Sequence, residues 1–354
     1  MKKVFTAAFL LLASSAFAQP ESVPVKAGRT PEGVVYFLPK TELRFHVLVE
    51  KTTYRPGPFA KYAERFLQLR EIEQEEQKTY RLVDMAIEQT AVRDTSKCFS
   101  VKLKGGKCET AEVHVNEDGI LMAVNAQPMK VPSYVPFRPA AKRLQPQTRR
   151  YLSAEMLAAG STAKMAELTA SQLVELQYRR RQLITGEADD MPKDAKQLQL
   201  MLDEIDRQAD AMEALFRGYL TRDTVEHTIM MCPEKEVNKD VLFRLSRHIG
   251  LVDKDDLAGV PYYISIEDLH HTSQELFEKP LDKKNRGFYA NVPGRIRVSL
   301  YGDEEMLGSY ELLVPQFGFL ELRGADQFKH YTTHLQLNPL TGAVESLVAD
   351  PKKP

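Results

Sequence analysis

Tryptophan is absent from the 354 residues, and cysteine occurs only three times. Without an indole, one common mode of sugar stacking is missing, although Tyr and Phe remain available for it. Cys98, Cys108 and Cys232 do not make a disulfide framework, and one bridge is the most they allow in an oxidising compartment. If Gly105-Gly106 tips a β-hairpin, Cys98 and Cys108 fall out of register for direct pairing. Long apolar runs are missing too: Val4–Ala13 is too short to span a bilayer, and no later stretch approaches a transmembrane helix. There is no G-x-S-x-G elbow, no P-loop, no G-x-G-x-x-G and no H-E-x-x-H. The motif-based arguments for these enzyme classes therefore fail. No catalytic residue, cofactor or metal ligand is nominated.

What is present begins with a secretory pattern. Lys2 and Lys3 form a charged n-region, Val4 to Ala13 an apolar h-region, and Ala16-Phe17-Ala18 a small-x-small cleavage site. Cleavage after Ala18 is expected, with export and most simply a periplasmic location. No cysteine follows the site to support a bacterial lipid anchor. The whole chain has 48 basic and 49 acidic residues. Loss of Lys2 and Lys3 shifts the net charge from −1 to −3. That balance argues neither for nucleic acid nor for an anionic membrane as partner.

The clearest local signal lies over 169–218. Leu198, Leu202, Ile205, Ala209, Met212 and Phe216 recur at spacings of four and three, an apolar stripe on one helix face. Pro192 suits a first turn and Gly218 a C-terminal cap. Upstream, Thr169 with Gln172 fits a capping box, Leu173, Leu176, Leu183 and Ile184 give a shorter apolar face, and Gly186 ends it. The short loop between the helices predicts an antiparallel helical hairpin. Its stripe either packs on the first helix and a sheet or is partly free as an interaction seam, including a homodimer through the hairpin. Arg179, Arg180 and Arg181 either complement the helix dipole or contact an anion.

The flanks read as β-structure. Leu43, Phe45, Val47 and Val49 alternate with Arg44, His46, Leu48 and Glu50, with His46 on the more polar face as a solvated or cross-strand histidine. Further strands are predicted near 79–92, 98–103, 109–115 and 120–125, with turns at Lys104–Lys107 and Asn116–Gly119. Residues 128–150 form a connector stiffened by Pro128, Pro132, Pro136, Pro139 and Pro146. It carries six cations (Lys130, Arg138, Lys142, Arg143, Arg149, Arg150), and no acid occurs between Asp118 and Glu155. An extended linker is the plain reading and an anionic-surface contact the functional one. After the hairpin, alternation returns in Val225, His227, Ile229 and Met231, and later in Ile296, Val298 and Leu300. His330 and His334 would share a helix face, but Tyr331-Thr332-Thr333 favours a strand, which separates the rings by roughly 13 Å.

Several stretches together resemble a known family: RPGPFAKYAE at 55–64, RRRQLITGEADDMP at 179–192, LMLDEIDRQ at 200–208, PQFGFLEL at 315–322 and NPLTGAV at 338–344. They are similar to an uncharacterised family of secreted proteins of about this length from Bacteroidetes, catalogued as a domain of unknown function. The resemblance implies a Gram-negative envelope and carries no activity or site residue. The expected fold is α+β, with two mainly antiparallel β domains and a long antiparallel helical hairpin between them. The expected divisions are a signal peptide at 1–18, an N-terminal β domain with a short helix at 19–127, the basic connector at 128–168, the hairpin at 169–218 and a C-terminal β domain at 219–354. The expected function is non-enzymatic binding of a protein or envelope component. The alternative is a periplasmic hydrolase acting on glycan or peptide through carboxylates.

Overall fold

Strand β2 (Val34–Arg55) buries Leu43, Phe45, Val47 and Val49 on alternate positions, so one whole face requires a covering layer. The computed structural model describes residues 20–25, 33–103, 112–131, 133–139, 148–189, 191–192, 194–270, 287–303, 305–323 and 331–351. Within these, the strands are β1 (Pro20–Pro24), β2, β3 (Gln77–Leu103), β4 (Val113–Val115), β5 (Leu121–Val124), β6 (Tyr219–Met231) and β7 (Val237–Ser246). The series continues with β8 (Gly250–Val252), β9 (Val260–Asp268), β10 (Phe288–Gly302), β11 (Glu305–Arg323), β12 (Tyr331–Leu337) and β13 (Val344–Pro351). Helices are α1 (Ala63–Leu67), α2 (Ala154–Leu157), α3 (Thr162–Thr185) and α4 (Ala195–Arg217).

The strands form three antiparallel sheets, ordered β1-β3-β2-β6, β11-β10-β9-β7-β8 and β13-β12-β5-β4. The first two face one another over a core made by Leu43, Phe45, Val47 and Val49 of β2 with Phe243 of β7, Ile264 and Ile266 of β9, and Ile296, Val298 and Leu300 of β10. A second core joins the other halves of the same long strands to the third sheet. Tyr36, Leu38, Phe99, Val101, Phe288 and Tyr289 meet Leu121, Val124, Leu335 and Leu337 there.

Between the cores the long strands change register. β2 and β3 shift between Phe37 and Pro39, where proline has no N–H to give to the ladder. β10 and β11 shift between Val292 and Gly294, and residues 315–318 of β11 form a bulge with no partner in that ladder. Buried polar side chains fill this junction. Asn291, 1% exposed, donates from Nδ2 to the carbonyls of Pro39 (3.0 Å) and Thr341 (2.9 Å), and its Oδ1 accepts from Lys97 Nζ at 3.0 Å. Gln316 grips the backbone of Thr41, accepting from its N–H at 3.0 Å and donating to its carbonyl at 2.7 Å. Tyr36 hydroxyl accepts from Tyr289 N–H at 3.0 Å, and burial pushes its pKa far above the usual phenol value.

The expected fold class is corrected by these sheets. The described residues are mostly β, 50% strand against 23% helix, with three antiparallel sheets, and among them no long helical hairpin separates two β bodies. Instead β2 pairs with β6 and β5 with β12, so strands from both ends of the chain share sheets. The helices form satellite clusters. One holds Phe59, Ala63, Ala166, Ala170, Leu215 and Phe216, and the other Leu173, Leu176 and Met212 with Ile205 and Ala209 against them. A second correction concerns the start of α3. Ser161 caps it by accepting from Lys164 N–H, whereas Thr169 is buried inside the helix and donates to the carbonyl of Met165. Helix α4 starts at an Asp194 cap, and Gly186 ends α3 in the left-handed region at φ 76°.

Candidate functional site

A group of ionisable side chains with complementary chemistry, part of it buried, lies on the outer face of the first sheet. His46 of β2 sits opposite Ala86 of β3 and Thr228 of β6. Glu88 and Glu226 lie two residues along from those partners, on the same face and within reach of a long side chain on the diagonal. His46 Nδ1 lies 2.6 Å from Glu226 Oε1, and Nε2 lies 3.1 Å from Glu88 Oε2. Both ring nitrogens therefore lie within hydrogen-bond distance of a carboxylate oxygen. Tyr134 closes the group, its ring stacked on the imidazole at 3.6 Å between centroids and 11° between planes. Its hydroxyl also bonds Glu226, whose Oε2 accepts from Phe137 N–H at 3.0 Å.

The Pro-rich connector is therefore docked here. Tyr134 and Phe137 are half-buried while Val135, between them, is 77% exposed. Burial pushes Tyr134 above the usual phenol pKa, helped by its bond to Glu226 and by the charges of Glu226, Glu88 and Asp84. Glu226 is pushed upward by burial. The Phe137 N–H, His46 and the Tyr134 hydroxyl outweigh that, holding its carboxyl below the ordinary range.

The sign of the pH effect follows. A carboxyl whose folded pKa lies below its unfolded value of about 4.3 contributes stability above that value and loses it as pH falls through the folded pKa. Glu226→Gln is expected to have a shallower decline in melting temperature than the parent below about pH 4.3. Thermal unfolding across an acid series checks this, and parallel curves would show that Glu226 holds nothing of the kind.

Sequence reasoning read His46 as solvated or cross-strand. It is buried, 6% exposed, and cross-strand. Glu88, Glu226 and Tyr134 were missed. They lie 42 and 180 residues from His46 for the two carboxylates, and Tyr134 lies on a segment with no periodic pattern. A tyrosine inside a basic, acid-free, Pro-rich run was the one local hint.

The predicted seam is graded. Met212 and Phe216 are fully buried, Ile205 and Ala209 pack toward Leu173 and Leu176, and Leu198 and Leu202 are half-buried. The three arginines are dispersed in role. Arg179 pairs with Glu175 on its own helix, and Arg180 bridges α3 to α4 through Asp206 (Nε to Oδ1 2.6 Å). Arg181 is exposed. Lys130, Arg138, Arg149 and Arg150 are exposed as well.

His334 stands on strand β12, as its neighbours predicted, with Nδ1 bonded to the carbonyl of Asn125 and Nε2 3.4 Å from Asp350. It lines an open concavity of about 380 Å³ with Ala126, Gln336, Ser346, Val348 and Asp350. Cys98 and Cys232 are free thiols whose pKa values burial raises. The expected signal peptide, the Lys104–Lys107 turn, Cys108, Lys142, Arg143 and His330 lie outside the described residues. Among the described residues no three His, Cys, Asp or Glu side chains are grouped to hold a metal ion, and no helix is long and apolar enough to cross a membrane.

The fold and this face define a three-sheet antiparallel β protein with a self-bonded histidine cluster. A family model described as domain of unknown function DUF4831 matches residues 32–345, and the chain belongs to that family. No curated protein and no solved structure matches it. Three of the stretches that carry the family resemblance hold a glycine with no room for a side chain, two of them against backbone and the third against the Pro39 ring. Gly57 of RPGPFAKYAE abuts the end of α4, where an added Cβ would lie 2.1 Å from Leu215 O. Gly318 of PQFGFLEL lies against Val292, and Gly342 of NPLTGAV against Pro39.

Proposed function

We propose that this is a non-enzymatic interaction protein, exported to the periplasm of a Bacteroidetes cell after cleavage behind Ala18, that binds a protein or envelope partner. The observation that carries the reading is the outer edge of β11. This strand is at the edge of its sheet, and Met306, Leu307, Tyr310 and Leu313 stand exposed along it. Among the described residues no strand pairs with this edge, although Gln89 donates to the carbonyl of Leu313, and apolar side chains along such an edge favour addition of an extended segment from a partner. The hydrolase alternative has less support. Glu88 and Glu226, two carboxylates that converge on one histidine, both hold His46 beneath the Tyr134 ring rather than facing an open cleft, and the concavity at His334 has one carboxylate, Asp350, in its lining.

A photoreactive phenylalanine analogue at Tyr310, and separately at exposed Asp255, tests this in cells carrying the protein. The expected result is a discrete adduct with an envelope component from Tyr310 only. Identical patterns from both positions, or none from either, would overturn the reading.

A further inference from the structure

We propose that β6 pairs, antiparallel, with β6 of a second copy of this chain, centred on Val225, so that two four-stranded sheets become one. This rests on β6 alone and does not depend on the reading of β11. Among the described residues β6 pairs with β2 and with no other strand, and it forms the outer edge of its sheet. Its pairing to β2 runs without a register break from Met231 opposite Leu43 to Tyr219 opposite Arg55. The strand, YLTRDTVEHTIMM, contains no proline, no lysine and no bulge. Those are three of the usual devices that stop an edge from recruiting another strand, and the charges the strand does carry, Arg222, Asp223 and Glu226, must find compatible partners across the pair.

The exposed apolar side chains supply the register. Leu220 is 59% exposed, Val225 48% and Met230 63%, and the outer two lie five residues to either side of the middle one. A two-fold axis perpendicular to the sheet keeps each face continuous, so only residues of like parity meet across it. With the axis at Val225, Leu220 meets the partner's Met230, and Val225 meets the partner's Val225. Asp223 comes opposite the partner's His227, Arg222 opposite the partner's Thr228, and Thr221 opposite the partner's Ile229. No pair sets like charges together: the apolar Leu220 and Val225 meet apolar partners, Thr221 meets the β-branched Ile229, and each charge meets a complementary or neutral group. The adjacent face-preserving registers are worse. Centring on Glu226 sets that carboxylate against itself, and centring on Thr224 sets Leu220 against the partner's Thr228 and Asp223 against the partner's Val225.

Light scattering on the purified protein, together with two substitutions at the axis, tests the pairing. The parent is expected to have twice the 40.2 kDa chain mass, less twice any cleaved leader. Val225→Glu places like charges on the axis and is expected to be a folded monomer, with the parent's circular-dichroism spectrum and a melting temperature that no longer depends on protein concentration. Val225→Cys is expected to form an oxidised dimer on a non-reducing gel, since opposed residues of an antiparallel pair lie about 4.5–5.5 Å apart at Cα, within disulfide reach. Thr228→Cys, which faces Arg222 rather than itself, is expected to cross-link no more than the parent. A monomeric parent overturns the proposal. So does a dimer that survives Val225→Glu, or one in which Val225→Cys links no better than Thr228→Cys.

Discussion

Gly318→Ala is expected to destabilise the protein by about 3–5 kcal/mol, the high end of single substitutions, because its new methyl has nowhere to go. A Cβ at this position would lie 1.8 Å from the carbonyl oxygen of Val292 and 2.7 Å from the nitrogen of Gly294. Both are main-chain atoms in β10, so no rotamer change relieves the overlap. Gly294 is the mirror of the problem: its own Cβ would lie 2.0 Å from Phe317 O. The two glycines let the bulge at 315–318 lie flat on β10, and the bulge aims Gln316 at the backbone of Thr41. Forcing the strands apart therefore also loosens the hold of the second sheet on the first. Gly160→Ala is the control, since nothing lies within 4 Å of its Cβ. Denaturant unfolding of both variants, with unchanged m-values, reads the difference. A Gly318→Ala midpoint equal to that of Gly160→Ala would show that the close approach does not constrain the fold.

Asn291→Leu is expected to lower stability by roughly 3–4 kcal/mol despite the similar side-chain volume. The change strips three hydrogen bonds at once and leaves the carbonyls of Pro39 and Thr341 facing an apolar group. It also removes the acceptor of Lys97, whose pKa burial already lowers while Asp94 supports the charge from 4.0 Å. An amine left buried without that acceptor carries part of the penalty. The double substitution Asn291→Leu with Lys97→Met is expected to recover some of the loss, giving a coupling energy near 1 kcal/mol in the double-mutant cycle. Strict additivity would mean that the lysine gains nothing from Asn291. The backbone bond from Asn291 N–H to Gly342 O, 3.0 Å, is retained in either variant.

Individual elements were largely legible. The alternation of Leu43, Phe45, Val47 and Val49 predicts β2, and the alternation of Val225 to Met231 predicts β6, because a half-buried strand writes its two faces at a period of two. Gly186 ends α3 where expected, since only the left-handed backbone it tolerates closes that helix. The start of α3 was not legible. Thr169 has the chemistry of a cap, as does Ser161, and the cap fell to Ser161, which accepts from Lys164 N–H, while burial left the Thr169 hydroxyl the carbonyl of Met165 to bond. The strong stripe of α4 also misled at the level of architecture. It records that one face is covered, not by what, and the cover is α3 with the Phe59 segment.

Local residue patterns thus determined where strands such as β2 and β6 run, the glycine-capped ends of α3 and α4, and the family-like stretches. These depend on φ/ψ preference and on side-chain alternation, which act between neighbours in the chain. Only the tertiary structure decided which strands share a sheet, since β2 finds β6 across some 180 residues through backbone bonds that are the same for every sequence. It likewise decided that Tyr134 would cap His46 and that Asn291 would tie three chain segments together. Each such contact joins polar groups that became neighbours because burying the two apolar cores left them at the same place.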